Sequence, residues 1–301
     1  MELQLNSLKL KAKSLRSDEI ASLIYHDIFD YPLTQGELIK WKAGHRVINH
    51  QTSTISHRDG LYFLKGREGI VYKRVLRERI SKRKLLIAKL AVKILRFIPA
   101  IKMIGITGAL AMQNADENSD IDLVIITKRG TLWTTRLFSY LVTWLLGIKT
   151  RKPKDNDQKD KLCLNIWLDE SALIWTKKDR NIYTAHEIAQ IIPLVNRDKI
   201  YEKFLYKNKW ITEFWPNSVK ISNHKSQITN KFEISNLKIL NYLIFGTWSL
   251  MLSAIEPLAY KLQYLYMKPK MTREVVTKTR AIFHPNDWGK IVINRFQIRT
   301  P

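Results

Sequence analysis

Asp120 and Asp122 are the residues whose type and spacing could do chemistry. They open the run Asp120-Ile121-Asp122-Leu123-Val124-Ile125-Ile126, branched, apolar and bounded by polar residues, which predicts a β-strand. Alternate strand residues share a face, so the two carboxylates point to the same side. Held side by side at the lip of an apolar strand they repel each other. A divalent cation relieves that repulsion, and Mg2+ prefers one or two carboxylates plus substrate phosphates. Upstream, the apolar run 103–106 ends in Thr107-Gly108, a short helix-prone segment covers 109–112, and a polar loop over 114–119 leads into the aspartates. A glycine just ahead of a helix start lets a phosphate approach backbone N–H groups. The bland alternative is a surface loop with two solvated acids.

The elements needed to position this pair are two strands joined by a glycine turn. That arrangement resembles the active-site motif of the DNA polymerase β-like nucleotidyltransferase superfamily: a Gly-Ser or Gly-Gly pair, a spacer of about ten residues, then Asp-x-Asp on the next strand. Gly108 falls on the glycine and Ala109 on the serine, and Ser119-Asp120-Ile121-Asp122-Leu123 supplies the acidic end. The resemblance implies that Asp120 and Asp122 hold Mg2+, and that Thr107, Gly108, Ala109 and Ser119 surround the phosphates of a nucleoside triphosphate, with ATP the expected one. It also implies a third carboxylate on a neighbouring strand. In the apolar run 162–168 that slot holds Asn165, which is neutral and cannot act as a base. Asp169 or Glu170, at the end of the run, or Asp160, at its start, could substitute, with Asp169 the expected metal ligand. Ala109 and Asn165 are thus the two departures from the family pattern.

Composition sets the frame. The chain has 301 residues, 45% of them hydrophobic, and a formal net charge of +24. That supports real cores and predicts attraction to polyanions such as nucleic acid, nucleotides or an anionic membrane surface. The one cysteine, Cys163, excludes a disulfide within the chain and reads as a buried thiol. No signal peptide is visible at the N-terminus, and a cytoplasmic protein is expected. Residues 239–255 are apolar but are interrupted by Asn241 and ended by Glu256-Pro257, so a buried helix is expected there and membrane association is not.

The expected class is α+β: a nucleotidyltransferase-fold mixed sheet with covering helices, an N-terminal winged-helix-like domain and a C-terminal helical region. Residues 1–68 form the winged-helix-like unit. Ser17 caps a helix, Thr34-Gln35-Gly36-Glu37 has capping-box form, and Asp59-Gly60 marks a hairpin. The stretch 44–56 reads as too polar for a sure recognition helix. Residues 69–98 form a basic connecting helix whose apolar side carries Val75, Leu76, Leu85, Leu86, Leu90, Ile94 and Leu95 while the other side presents cations. The core spans 99–215. Within it, 132–146 is an apolar helix with Arg136 as its lone charge, 149–161 is a charged loop without apolar anchors, and 181–214 reads as helices, opening on a capping box at Thr184-Ala185-His186-Glu187. A linker over 216–235 precedes the C-terminal region over 236–301, where 272–282 reads as basic and helical.

Three functions follow as expectations. The first is Mg2+-dependent transfer of a nucleoside monophosphate from a triphosphate to a hydroxyl acceptor. The second is a catalytically degenerate nucleotidyltransferase-fold regulator that senses nucleotide or binds nucleic acid through the basic helix and the winged-helix-like region. The weaker third is a membrane-surface protein using 237–267.

Overall fold

The N-terminal unit begins with helix α1 (Ser17–Asp27), which puts Asp18 and Glu19 in its first turn, against the positive end of its dipole, and buries Leu23 and Ile24. The coordinates are a computed structural model that describes residues 17–45, 47, 55–152, 155, 157–221, 236–283 and 287–298, with the backbone alone for 236–251. After α1 come β1 (Leu33–Thr34) and α2 (Gln35–Lys40). The capping box expected there is formed. The Glu37 N–H donates to Thr34 Oγ1 at 3.2 Å and the Thr34 N–H to Glu37 Oε2 at 2.9 Å. Strands β2 (Ile55–Arg58) and β3 (Leu61–Leu64) make an antiparallel hairpin, turned by Asp59 and Gly60 at φ of 53° and 77°, as a tight hairpin requires. With β1 they form a three-stranded sheet in the order β1-β3-β2. Most of the stretch 44–56 lies outside the described residues.

Helix α3 (Gly69–Leu95) connects this unit to the larger sheet. Its two faces are not divided as expected. The buried stripe carries Arg74, Ser81, Lys84, Ala88 and Ala91, while Leu76, Leu86 and Leu90 are exposed. Toward the C-terminal end Leu95 of the expected side does turn inward, buried in the core with Val92; in the middle, small residues lie against the sheet where helix and strand approach closely.

The second sheet has six strands. In chain order the elements are β4 (Ile101–Ile106), a single helical turn α4 (Gly108–Ala111), β5 (Ile121–Thr127), α5 (Leu132–Leu145), β6 (Leu162–Asp169), α6 (Ile182–Ala189), β7 (Ile192–Asn196), α7 (Ile200–Lys207), α8 (Asn236–Met267), β8 (Val275–Val276), β9 (Arg280–Ile282) and α9 (Trp288–Ile298). The sheet order is β7-β4-β5-β6-β9-β8. Strands β5 and β6 run parallel across the α5 crossover, and the other pairings are antiparallel. The fold is therefore α+β with a mixed sheet. Helices α3, α5 and α8 cover one face, sharing a core of Ala91, Trp133 and Ala259 with Ile104 and Ile125. On the other face, Ile188 of α6, Phe204 of α7 and Phe296 of α9 join Leu23 and Trp41 of the N-terminal unit over Met103, Val124 and Leu168. Coverage on both sides is why the central strands read as unbroken apolar runs.

Two segments expected to be helical are strands. Residues 192–196 form the edge strand β7, where Pro193 is tolerated because an edge position leaves an N–H with no ladder partner. Residues 275–276 and 280–282 form β8 and β9, which extend the sheet beyond β6, so the C-terminal region is neither wholly helical nor separate from the core. The capping box at 184–187 is also displaced. Asn181 is the N-cap of α6 and pairs reciprocally with Thr184, which frees Glu187 to point elsewhere. Across the sheet, Glu256 of α8 accepts hydrogen bonds from the N–H groups of Trp133 and Thr134 at 2.7 and 2.8 Å, so a carboxylate from one helix caps the positive end of another.

Candidate functional site

The site is built where β4, β5 and β6 lie side by side. The Thr107 N–H donates to the Asp122 carbonyl at 3.1 Å, which locks the turn after β4 against the start of β5. Gly108 then turns at φ +64°, and a Cβ on it would lie 2.5 Å from Asp122 Oδ2. Glycine is therefore required twice, by a left-handed conformation and by the carboxylate that fills its place.

The two aspartates converge. Side-chain oxygens of Asp120 and Asp122 and the Cys163 sulfur all lie within 4.8 Å of one another. Asp120 Oδ2 accepts from Arg151 Nη1 at 2.7 Å, and the same guanidinium nitrogen lies 3.9 Å from Cys163 Sγ. Arg151 comes from the charged segment 149–161, which is not without anchors. Its backbone N–H donates to the Leu162 carbonyl, continuing the chain toward β6.

Asn165 reaches Asp122 because β6 is bulged. Asp122 pairs with Cys163 and Val124 with Ile166, so three steps on β6 match two on β5. Leu164 and Trp167 enter one core while Ile166 and Leu168 join the other. The extra residue places Asn165 and Ile166 on the same side, a role bulges often play beside sites. Asn165 Nδ2 donates to Asp122 Oδ1 at 2.7 Å. Its own Oδ1 is buried and has no hydrogen-bond partner, an acceptor left waiting for a donor or a cation.

Glu187, expected in a helix cap, is a further carboxylate close enough to act on Asp122. It projects from α6 to the other side of the Thr107-Gly108 turn, where Oε2 accepts from Thr107 Oγ1 at 3.3 Å and Oε1 from Gln190 Nε2 at 2.7 Å. Burial pushes its pKa up to about 7. Asp122 is likewise pushed up to about 7, by burial first and then by the charges of Asp120 and Glu187. Burial and the same two aspartates raise the Cys163 thiol, so it stays protonated and is a poor ligand for a hard cation. The one signal for Glu187 in the sequence is that it is the sole acid between Asp179 and Asp198. Nothing distinguishes Arg151 within its run of charges.

The remaining expected residues fall into two groups. Ala109 is exposed at the start of α4, beside the pair. Ser119 borders Asp120 along a concavity shared with Asn118 and Lys159, but its hydroxyl donates to the Asp116 carbonyl at 2.9 Å and not toward the aspartates. Asp169 is not a candidate ligand. It pairs with Thr127, at the far end of β5 from Asp122, about 16 Å away at the usual rise of a strand. There its carboxylate accepts from the N–H groups of Gly130 and Ser171 at 2.6 and 2.8 Å. Arg136 does not face the site's opening either. It is packed against Tyr140 and Phe283 and donates to Gln263.

The loop that carries Asp120 is held from below by Lys84. This fully buried lysine donates to the carbonyls of Ser119 and Glu117 and to Asp160 Oδ1, at 2.7, 3.1 and 2.7 Å.

The chain matches no protein-family model, no curated protein and no solved structure. What the site can do therefore rests on its own chemistry. The paired oxygens of Asp120 and Asp122, with the unpartnered Asn165 Oδ1 nearby, are a donor set suited to a hard divalent cation.

Proposed function

We propose that the chain is a nucleotidyltransferase of the DNA polymerase β-like kind, which moves a nucleoside monophosphate from a triphosphate, with ATP the expected donor, to a hydroxyl acceptor. The observation that carries the reading is the packing of Gly108 directly on Asp122, with Asp120 beside it. Asp120 and Asp122 would hold Mg2+, with Asn165 Oδ1 as a neutral third oxygen. Held there, Mg2+ would supply positive charge to offset the charge that develops on the phosphates. The chain's own part is positioning. Gly108 lets the backbone turn pack directly on Asp122, so phosphates held at the pair would lie beside the N–H groups that follow the turn. Asn165 keeps Asp122 in one rotamer. Glu187 lies behind the turn as a carboxylate outside the pair that burial also raises to about 7, so it could exchange a proton near neutral pH. The N-terminal helices and hairpin fit a winged-helix-like unit, and with the basic helix they would bring nucleic acid as a partner or acceptor.

A second reading has its own support: nucleotide sensing without transfer. Arg151 already neutralises Asp120, and Asn165 stands where the family carries an acid. One experiment separates the two. The protein is incubated with Mg2+ and ATP labelled at the α-phosphate, beside Asp122→Asn. Label transferred by the parent alone supports transfer. Thermal stabilisation by Mg2+ and ATP without transfer supports sensing. Neither signal removes both readings.

A further inference from the structure

Helices α3, α5 and α8 form one layer over the sheet, and its outward surface is apolar and basic at once. All three pack their inner sides into the same core, so their outer sides share one surface. That surface carries Leu86 of α3, Trp144 of α5 and Leu262 of α8, exposed by 63%, 75% and 57%. Leu90, Leu141 and Leu258 continue the same stripes on the three helices and are also exposed. Single exposed leucines are ordinary, but a row of them on three adjacent helices is not.

Charge says what covers this face. Lys82, Lys89 and Lys93 alternate with the leucines of α3, and Lys261 stands between Leu258 and Leu262; all four are exposed. The three helices contain two acids between them, Glu78 and Glu256, and α5 contains none. Neither offsets the cations at the surface. Glu78 is tied to Arg74 at 2.6 Å, and Glu256 is folded back onto the start of α5. A second copy of the chain would bring lysines against lysines. Nucleic acid would match the cations but leave the leucines and Trp144 in water. A surface that is anionic outside and apolar just beneath satisfies both: lysine heads stay at the headgroups while leucine and tryptophan enter the acyl boundary.

We infer that the outer face of α3, α5 and α8 docks on an anionic lipid bilayer, lying on it and not crossing it. No helix among the described residues is long and apolar enough to cross a membrane. The inference does not depend on the transfer reaction, and Asp122→Asn is expected to bind vesicles as the parent does.

The test is flotation of the full chain with vesicles of phosphatidylcholine alone and with vesicles of equal parts phosphatidylcholine and phosphatidylglycerol. Flotation is expected with the anionic vesicles only, and it should weaken as salt is raised. The double variant Lys89→Glu/Lys93→Glu is expected to bind about tenfold more weakly. Trp144→Ser with Leu262→Ser should lose binding by about the same factor. All four positions are exposed, so circular dichroism and melting should match the parent. A variant pair that fails that control is replaced by the other. Absence of flotation with anionic vesicles overturns the inference. So does equal flotation with both vesicle types or equal flotation of all variants. A dimer by light scattering that Trp144→Ser dissolves, with no vesicle binding, would assign the face to a second copy instead.

Discussion

Asn165 holds Asp122 with its amide nitrogen and leaves its oxygen unpartnered, so replacing it tests the site at single-atom scale. Asn165→Asp trades the 2.7 Å hydrogen bond for a second carboxylate against Asp122. Without metal the variant should be less stable by about 2 kcal/mol, from lost hydrogen bonding and like-charge repulsion. With Mg2+ it should recover, showing a larger metal-dependent rise in melting temperature than the parent. An equal Mg2+ response in both proteins would argue against a cation at this position. Gly108→Ala probes the other side of Asp122. The new Cβ meets Oδ2 at 2.5 Å in a backbone held at φ +64°, so a loss of about 2–3 kcal/mol is expected, with weaker Mg2+ binding by calorimetry. A variant as stable as the parent would show that the turn relaxes. The glycine and the aspartate pair were legible in the sequence because one local β-turn-β stretch contains them. Glu187 and Arg151 were not. They arrive from α6 and from the segment before β6, and only packing brings them to the pair. The bulge that aims Asn165 was hidden too, since a single extra residue leaves an apolar run looking regular.

Among the elements, α3 does more than connect. Its buried Lys84 ties Asp160 and the carbonyls of Glu117 and Ser119 to the helix, directly ahead of Asp120. Lys84→Met keeps the length of the side chain and removes every one of those donors. Leaving a carboxylate and two carbonyls without their cation should cost about 3–5 kcal/mol by denaturant unfolding. Amide exchange across 116–120 should speed up as well, because that loop loses its anchor. Unchanged exchange there would show that the loop holds itself. The fold's long apolar strands, β4, β5 and β6, could be read from the sequence because both of their faces are covered. The short strands beyond β6 could not. β8 and β9 have two and three residues, too few for a period to show, and the charges around them, which also discourage pairing with other chains, resemble a helix surface. The orientation of α3 was misread for a related reason. Leu95 and Val92 turn inward with Ala88 and Ala91 while Leu76, Leu86 and Leu90 stay exposed, since which side turns inward is set by the room available and not by hydrophobicity alone.

At the scale of the whole molecule, the N-terminal unit and the six-stranded sheet are joined through a buried pair of histidines. His26 of α1 donates from Nδ1 to the Ser22 carbonyl at 2.8 Å, which fixes its tautomer and leaves Nε2 as an acceptor. His186 of α6 lies 3.1 Å from that nitrogen and supplies the proton between them. Trp41 stacks on His186 at 4.0 Å, and Tyr25 and Trp215 close the sides. This junction needs both rings neutral. Burial lowers His26 from 6.5 to about 4; the charges of Arg74 and Lys40 act the same way, while Glu37 and the Ser22 carbonyl oppose it. Burial lowers His186 too, with His26 and Lys40 adding to it. Between 6.5 and about 4 the unfolded chain takes up a proton that the native His26 refuses. The stability from a neutral His26 is thus fully present above 6.5 and is lost as pH falls toward 4, by ~3 kcal/mol at the lower limit. Asp122 and Glu187, both raised to about 7, contribute with the opposite sign across that whole range, so the total slope is not the measure to use. The difference between the parent and His26→Gln is. The variant should be less stable at neutral pH and should lose less on acidification, and the two curves should converge as pH approaches 4. Parallel curves would show that His26 takes up its proton as readily in the folded protein as in the unfolded chain, so that neutrality of the ring is not what holds the junction.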